Sequence, residues 1–134
     1  MRIDIDMKNY KKYFKISATP EAVYKAYTRP ELIEVWTSAD VVFEEKENTE
    51  FSLFDGDVTG RNIKFVEGSL IQQEWYFENE AGMESIVTLK FHADKDVTSL
   101  EVQQTNIPDD AYDNILMGWT EVIIPGICEV VEEE

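Results

Sequence analysis

The dipeptide Asp55-Gly56 constrains the fold more than any other feature of this sequence. It lies between two runs rich in strand-forming residues, Glu50–Phe54 and Val58–Val66. Asp-Gly between two such runs is the strongest short-range signal for a β-hairpin, because the turn needs a positive φ that glycine adopts at little cost. We therefore predict a hairpin here, with Gly56 at positive φ in a two-residue or bulged turn.

Several other runs alternate apolar and polar residues or are rich in β-branched residues, which is typical of strands. In the first run, Phe14 and Ile16 fall on one face and Tyr13 falls on the other. Short polar connections separate most of the later runs, and such connections join antiparallel neighbours. Besides the hairpin, we predict strands at Tyr10–Ser17, Asp40–Glu45, Leu70–Phe77, Glu84–Ala93 and Val97–Thr105.

Two short helices are predicted directly after the first strand. Thr19-Pro20-Glu21 supplies an N-cap residue, a proline in the first turn and an acid near the helix N-terminus. The first helix should extend to about Thr28, and Pro30 should begin the second.

A long helix is predicted at the C-terminal end, from Pro108 to beyond Cys128. Its apolar residues recur with the 3.6-residue period of an α-helix. They are Tyr112, Ile115, Trp119, Val122, Ile123, Ile127 and Val130. Pro125 lies inside this helix, removes one backbone donor and crowds the carbonyl of Glu121, so we predict a kink there.

This order of elements predicts an α+β fold: a strand, two short helices, a series of strands and a long helix. The long helix must lie on the sheet, because no other predicted element is long enough to cover its apolar stripe. A curved antiparallel sheet wrapped around the C-terminal helix satisfies these conditions. No repeat or Pro/Gly-rich linker interrupts the chain, so we expect one domain over residues 1–134.

Composition limits the expected partners and compartment. The chain is 43% hydrophobic. Its net charge of −16 repels the negatively charged phosphate backbones of DNA and RNA, so nucleic-acid binding is not expected. The single cysteine, Cys128, excludes an internal disulfide. Asp4 and Asp6 stand where a signal peptide needs an apolar run, and no stretch reads as a membrane span. We expect a cytoplasmic protein that does not insert into membranes.

Motifs along most of the chain, from about residue 14 to 131, resemble the START-like (SRPBCC) helix-grip superfamily. They are Thr19-Pro20-Glu21-Ala22-Val23-Tyr24, Pro30-Glu31-Leu32 with Trp36, Phe51–Gly60, Ile71 with Trp75, Ser85–Phe91, Asn106-Ile107-Pro108 and Gly118-Trp119. Within that superfamily, the Phe-Asp-Gly turn with Gly60 and the Ile-Pro before Gly-Trp resemble the C-terminal domain of the activator of heat-shock protein 90 ATPase.

The resemblance implies a helix-grip fold and two kinds of function. Helix-grip proteins, which include the polyketide cyclases and the birch pollen allergen, often hold an apolar ligand between sheet and helix. The resembled activator is a two-domain co-chaperone whose N-terminal domain makes the main contact with the chaperone's middle segment. This chain matches its C-terminal domain.

Residues that could support catalysis or metal binding are scarce in the sequence. The only histidine, His92, is expected on the outer face of a strand, opposite Val87 and Leu89. Without a second histidine or a cysteine cluster the usual zinc ligands are missing, and Asp55-Gly56-Asp57 lacks the later residues of a calcium loop. Cys128 is interpreted as a small buried apolar residue. We predict no catalytic residues, no metal and no cofactor.

A group of residues is predicted to face the space between sheet and helix. Its members are Tyr27, Trp36, Gln73, Trp75, Phe77, Leu89, Gln104, Trp119, Ile123 and Ile127. If this space is a cavity for a small hydrophobic molecule, Gln73 and Gln104 are the polar groups that orient the ligand. The alternative is that the same residues fill an ordinary core.

Three functions are open at this point. The first is a non-enzymatic binding module for a small hydrophobic ligand, which rests on the fold. The second is a co-chaperone-like factor that docks on a chaperone or another protein. An enzyme of the polyketide cyclase kind comes last, because it needs an acid/base pair in the cavity that the sequence does not indicate.

Overall fold

One antiparallel sheet of six strands is the framework of the fold. The computed structural model describes residues 7–77 and 84–132, so the predicted loop at 78–82 lies outside them. The strands are β1 (Met7–Ile16), β2 (Glu50–Leu53), β3 (Val58–Val66), β4 (Leu70–Trp75), β5 (Ser85–Asp94) and β6 (Val97–Pro108). Their order across the sheet is β1-β6-β5-β4-β3-β2, with every neighbouring pair antiparallel.

The predicted hairpin and the positive φ of Gly56 are confirmed, but residues 54–57 all lie between the two strands, so the turn is longer than the predicted two-residue turn. Leu53 pairs with Val58 across the turn, and Gly56 has a φ of 95°. Phe54 and Asp55, which precede Gly56 in the turn, also have positive φ, at 56° each, so three consecutive residues adopt a left-handed conformation. Positive φ is uncommon for a bulky residue such as phenylalanine, so this turn holds an unfavourable backbone conformation that its surroundings must stabilise.

The predicted strand Asp40–Glu45 is wrong. Only Val42 in this stretch pairs with the sheet, through two backbone hydrogen bonds to Ser52 of 2.9 and 3.0 Å. β2 is only four residues long, and the chain turns away from it after Val42 because Asn48 and Thr49 bond to Asn62 of β3 instead. The apolar residues of the stretch have another role, since Phe43 is buried against Phe51.

Two short helices follow β1, as predicted. Helix α1 (Pro20–Thr28) begins at the N-cap Thr19, whose hydroxyl accepts a hydrogen bond from the Ala22 N–H at 3.2 Å. Helix α2 (Pro30–Thr37) has proline in its first turn. Each helix buries one face.

The C-terminal helical segment is less regular than the sequence period suggests. Pro108 is the last residue of β6, and the segment continues as a 3₁₀ turn (Asp109–Ala111), α3 (Tyr112–Met117), a π-helical turn (Gly118–Ile123) and α4 (Ile124–Val131). In the π-helical turn the Ile124 N–H donates to the carbonyl of Trp119, five residues earlier. The irregularity predicted near Pro125 therefore lies in the turn that precedes it, where the missing proline N–H disturbs the α-helical pattern.

This C-terminal segment packs against the inner face of the sheet. Trp119, Ile123 and Ile127 are buried there, facing the inner residues of β4, β5 and β6. Contrary to the expectation from the sequence, residues Asp109–Val131 are long and apolar enough to cross a membrane by length and composition. Only 22% of the most apolar stretch of this segment is buried inside the fold, and those buried residues belong to the core. The α+β fold with a sheet wrapped around the C-terminal helix is confirmed.

Candidate functional site

A row of side chains crosses the inner face of the sheet beneath the C-terminal helix. Strand register places Asn62 beside Gln73, Gln73 beside Val87 and Val87 beside Gln104. All four are fully buried. Buried amides need hydrogen-bond partners, so the contacts of these residues decide whether they are free to orient a ligand.

Both the oxygen and the nitrogen of the Gln73 amide bond to neighbouring side chains of the protein. Its Oε1 accepts from the Tyr27 hydroxyl at 3.2 Å and from Trp75 Nε1–H at 3.0 Å. Its Nε2 donates to Asn62 Oδ1 at 2.9 Å, and Asn62 Nδ2 donates in turn to the backbone carbonyl of Glu44 at 3.1 Å. Because Tyr27 is fully buried, burial raises the pKa of its hydroxyl well above the ordinary value, and the group stays neutral.

Gln104 forms a second network, which ties the helix to the sheet. Its Oε1 accepts from Trp119 Nε1–H at 2.9 Å, and its Nε2 donates to Ser85 Oγ at 3.1 Å. Ser85 Oγ donates onward to the carbonyl of Thr105 at 2.8 Å. The tryptophan N–H at the centre of the helix–sheet contact is thus satisfied by an amide of the sheet.

The two tryptophans of these networks stack on each other. The rings of Trp75 and Trp119 are 5.4 Å apart at their centroids and inclined by 18°. Both residues are at least 96% buried. Offset stacking of this kind adds about 0.5–1.5 kcal/mol to what area burial alone provides. The stack joins the Gln73 and Gln104 networks into one connected group.

Trp36 closes one end of this interior. Its Nε1–H donates to the Ala26 carbonyl at 2.8 Å, and its ring lies 5.8 Å from that of Tyr27. Gly126 of α4 packs so closely on it that a Cβ at that position would lie 2.8 Å from the Trp36 Cβ. Glycine is therefore required here by close approach of two helices.

Next to Trp36, the helix–sheet contact opens into a cleft at the surface, and the ring of Phe54 in the cleft wall lies edge-on to Trp36 with 6.0 Å between centroids. The cleft has a volume of about 480 Å³ and lies between the hairpin turn and the first half of the C-terminal helical segment. Its lining is Phe54, Asp57, Val58, Trp75, Asn114, Ile115, Gly118, Val122 and Ile123. Most of these side chains are apolar, and Asp57 and Asn114 are the polar ones.

The ten predicted cavity residues are thus divided by the structure. Only Trp75 and Ile123 line the cleft. The two glutamines, with Tyr27 and Trp119, form the bonded interior, and Trp36, Leu89 and Ile127 are buried around it. Phe77 is half-buried and follows the end of β4.

Sequence reasoning missed most of the cleft wall. Ile115 and Val122 were visible in the predicted helix stripe, and Phe54 and Val58 in the predicted hairpin. No signal in the sequence showed that these two elements stand apart far enough to leave a cleft.

The ionisable groups with shifted pKa values lie away from the cleft. His92 is exposed on the outer face of the sheet, as predicted, and its Nε2 lies 2.9 Å from Glu101 Oε1. This hydrogen bond, together with Lys11 at 3.7 Å, lowers the pKa of Glu101. Cys128 is half-buried, and burial raises the pKa of its thiol to about 11, so the thiol is protonated at neutral pH.

Among residues 7–77 and 84–132, no three His, Cys, Asp or Glu side chains come together as metal ligands. The buried carboxylate of this part of the chain, Glu101, faces away from the helix. What the site offers is an apolar cleft next to a buried interior whose amides are hydrogen-bonded within the protein.

Comparison with known proteins identifies the family. Residues 17–132 match the family described as "Activator of Hsp90 ATPase homolog 1-like protein". The chain belongs to this family. The resemblance found in the sequence motifs is confirmed.

Two curated relatives come from distant eukaryotes. The "Activator of 90 kDa heat shock protein ATPase homolog" of Dictyostelium discoideum is 33% identical over 115 residues, which are 84% of this chain and 30% of that protein. The mouse "Activator of 90 kDa heat shock protein ATPase homolog 1" is 28% identical over 110 residues, 81% of this chain and 32% of that protein. The chain spans about a third of the length of these relatives.

A solved structure supports the fold of this Hsp90-activator-like chain. The crystal structure of an HSP90 activator from Plasmodium falciparum aligns with a TM-score of 0.83 at 21% identity. The alignment covers 91% of this chain and 94% of that one. At this identity, the likeness establishes the helix-grip fold.

Proposed function

We propose that this domain binds a chaperone of the Hsp90 class and modulates its ATPase activity. The observation that carries the proposal is the family match over residues 17–132, together with relatives named as activators of that ATPase. The domain acts through protein contact in this proposal, and it has no catalytic role of its own.

The bonded interior supports a function at the surface. Gln73 and Gln104, the residues that would orient a ligand inside the fold, each bond to neighbours through both their oxygen and their nitrogen. A ligand that replaced these bonds would leave buried polar groups unpaired, which is unfavourable by about 1–3 kcal/mol for each group. Binding at the surface carries no such penalty.

The test is a measurement of ATP hydrolysis by the Hsp90 of the source organism with increasing amounts of this chain. The hydrolysis rate that remains in the presence of an ATP-competitive Hsp90 inhibitor is the background from other ATPases. We expect a saturable change in the inhibitor-sensitive rate and a complex in sedimentation velocity. Binding without any change in rate would remove the modulation from the proposal. Absence of both the complex and the rate change would overturn it.

A second candidate function is the binding of a small hydrophobic ligand in the cleft. The observation that favours it is the volume of about 480 Å³ with an apolar lining, which falls within the range of known small-molecule sites, about 300–1,000 Å³. Trp75 forms part of the wall, so a bound aromatic molecule should quench its fluorescence.

Two matched variants test the ligand proposal. Val122, in the cleft, and Val66, at the end of β3, are each 44% exposed. Titration with the neutral probe N-phenyl-1-naphthylamine should show saturable binding to wild type and to Val66→Glu. Val122→Glu should lose it, because the carboxylate replaces apolar wall. Equal binding by the two variants would show that the probe binds elsewhere.

We also propose a cytoplasmic location for the domain. The support is the single, protonated thiol of Cys128 in a chain that has no second cysteine for a disulfide. Fractionation of cells that express the tagged full-length protein, with a periplasmic or secreted marker as the control, tests this location.

A further inference from the structure

Strand β1, at one edge of the sheet, carries an unusual concentration of positive charge. Four of its ten residues are lysines, Lys8, Lys11, Lys12 and Lys15, and none is acidic. The whole chain has only 12 basic residues in 134, against 28 acids. One strand therefore holds a third of the positive charge of a strongly acidic protein.

The outer edge of β1 is open in the part of the chain that the structure describes. β1 pairs with β6 along nearly its whole length, from Met7 opposite Pro108 to Ile16 opposite Thr98. Across residues 7–77 and 84–132, no second strand pairs with it. The opposite edge of the sheet differs, because β2 has four residues and is partly covered by the Val42 bridge. β1 thus presents a long row of backbone donors and acceptors.

The lysines project to both faces of the sheet at this edge. Lys12 stands opposite Val102, a buried inner-face residue, whereas Lys15 stands opposite Ser99 on the outer face. Both are exposed, and neither forms an ion pair with another described residue. Lys8 and Lys11 each lie near one acid, Asp109 at 3.1 Å and Glu101 at 3.7 Å. A strand placed beside β1 would meet positive charge on both of its faces.

We propose that β1 accepts an extended acidic segment of a partner protein as a seventh strand. The backbone groups of the open edge supply the hydrogen bonds, as in other cases where a peptide extends a sheet. The lysines supply the selectivity, since opposite charges in neighbouring strands attract each other and stabilise the strand pair. A segment that fits this edge carries acidic side chains on both of its faces. Two acidic residues next to each other in the sequence provide this, because successive side chains of a strand point to opposite faces.

Two other occupants fit this edge less well. A second copy paired through its own β1 would place lysines of one copy next to lysines of the other, and like charges across strands are destabilising. Glu132, the acid that directly follows α4, lies beyond the end of β1 and not along its open edge, because it accepts a hydrogen bond from the Ser17 N–H at 2.7 Å.

The net charge of −16 does not prevent this binding at physiological salt. Charges farther away than the Debye length, about 8 Å at 0.15 M ionic strength, are largely screened. The nearby lysines then dominate what an acidic strand meets at β1. At much lower salt the distant acids contribute, so the measurement belongs at physiological ionic strength.

The probe is a fluorescein-labelled peptide as long as β1, made of Glu-Asp pairs separated by threonine and valine. Anisotropy at 0.15 M salt should show saturable binding to wild type. Lys12→Glu/Lys15→Glu should weaken it by at least about tenfold, through the loss of attraction and the gain of repulsion. The matched control is Lys25→Glu/Lys64→Glu, which changes the net charge equally at two exposed lysines outside β1. It should bind within about twofold of wild type.

A second readout distinguishes strand addition from loose electrostatic attraction. On binding, backbone amides of β1 should shift in ¹H–¹⁵N spectra and exchange more slowly with solvent, and a peptide with two central prolines should fail to bind. Three results would each overturn the proposal. The two charge variants could lose peptide affinity equally, the amide shifts could be confined to another surface, or the protein could form a concentration-dependent dimer through β1. Because the proposal does not depend on which partner is bound, failure here would leave the Hsp90 proposal to its own ATPase measurement.

Discussion

The two ends of the contact between sheet and C-terminal helix are built differently. At the end formed by Trp119 and α4, side chains interlock, the tryptophan N–H is bonded to Gln104, and Gly126 brings the helix against Trp36. At the end that faces the hairpin turn, α3 and the π-helical turn stand away from that turn and leave the cleft. The first end contains bonded amides, whereas the second has partly exposed aliphatic side chains such as Ile115 and Val122 beside the rings of Phe54 and Trp75.

We expect this difference to separate stability from the proposed ligand binding within one helical segment. The closed end fixes the position of the helix through contacts that tolerate little change in volume. The open end has apolar side chains that are only partly buried, such as Ile115 and Val122, so substitutions there should affect ligand binding more than folding. The predictions below test this division, beginning with the largest effect.

Trp119→Ala should destabilise the protein by about 3–5 kcal/mol, because it empties the centre of the closed end. It also removes the stacking partner of Trp75 and leaves Gln104 Oε1 without its donor. Urea denaturation followed by circular dichroism measures the change. Met117→Ala, in the same helical segment but 52% exposed, is the control and should stay within about 0.5 kcal/mol. Similar losses in both variants would show that the two ends do not differ.

Gly126→Ala should destabilise by about 1–3 kcal/mol, since the new Cβ would lie 2.8 Å from Trp36 Cβ and must push the two helices apart. Gly118→Ala is the matched change at the open end, where a Cβ has no atom within 4 Å. It should raise stability by up to about 1 kcal/mol through better helix propensity. Changes in melting temperature of opposite sign for the two variants would support the comparison. A higher melting temperature for Gly126→Ala would contradict it.

Gln104→Leu should lower stability by about 1–3 kcal/mol despite its apolar side chain, because Trp119 Nε1–H loses its buried acceptor. Gln72→Leu provides the control on the outer face of β4. Gln72 is half-buried and bonds only to Thr88, so its replacement should be nearly neutral. If Gln104→Leu proved stabilising, the amide would not be essential to the closed end.

Tyr10→Phe should have the smallest effect, between no change and a gain of about 1 kcal/mol. The Tyr10 hydroxyl is buried beside Gln104 in the strand register, yet it has no hydrogen-bond partner among the described residues. Removing an unpaired buried hydroxyl avoids its desolvation penalty. A clear loss of stability in chemical denaturation would indicate that a bound water or ligand satisfies this group.

The sequence was sufficient for the features that follow from local patterns. Gly56 in its turn, the strands around it and the burial of Trp119 came from turn chemistry and from periods of two and 3.6 residues. The Asp40–Glu45 strand failed because pairing depends on a neighbour, and β2 offers only one paired position there.

The site was harder to predict than the fold. The sequence placed Gln73 and Gln104 on the inner face correctly, but not their bonds to Tyr27, Trp75 and Trp119, which depend on side-chain packing across several strands. The separation of the hairpin turn from α3 is likewise a tertiary distance. No local pattern encodes it, so the cleft appeared only in the structure.

The π-helical turn has a consequence for the angular positions of side chains around the helix axis. Each residue of an α-helix advances that angle by roughly 100°, so Ile115 and Ile127, twelve positions apart, would lie roughly 120° from each other on a continuous α-helix. The π-helical turn between them accommodates one extra residue and thereby reduces this angle to roughly 20°. Apolar residues on the two sides of the turn are thus brought onto one side of the helical segment. Deleting one residue from Gly118–Ile123 would restore a regular α-helix and leave Ile115 and Ile127 in the same phase.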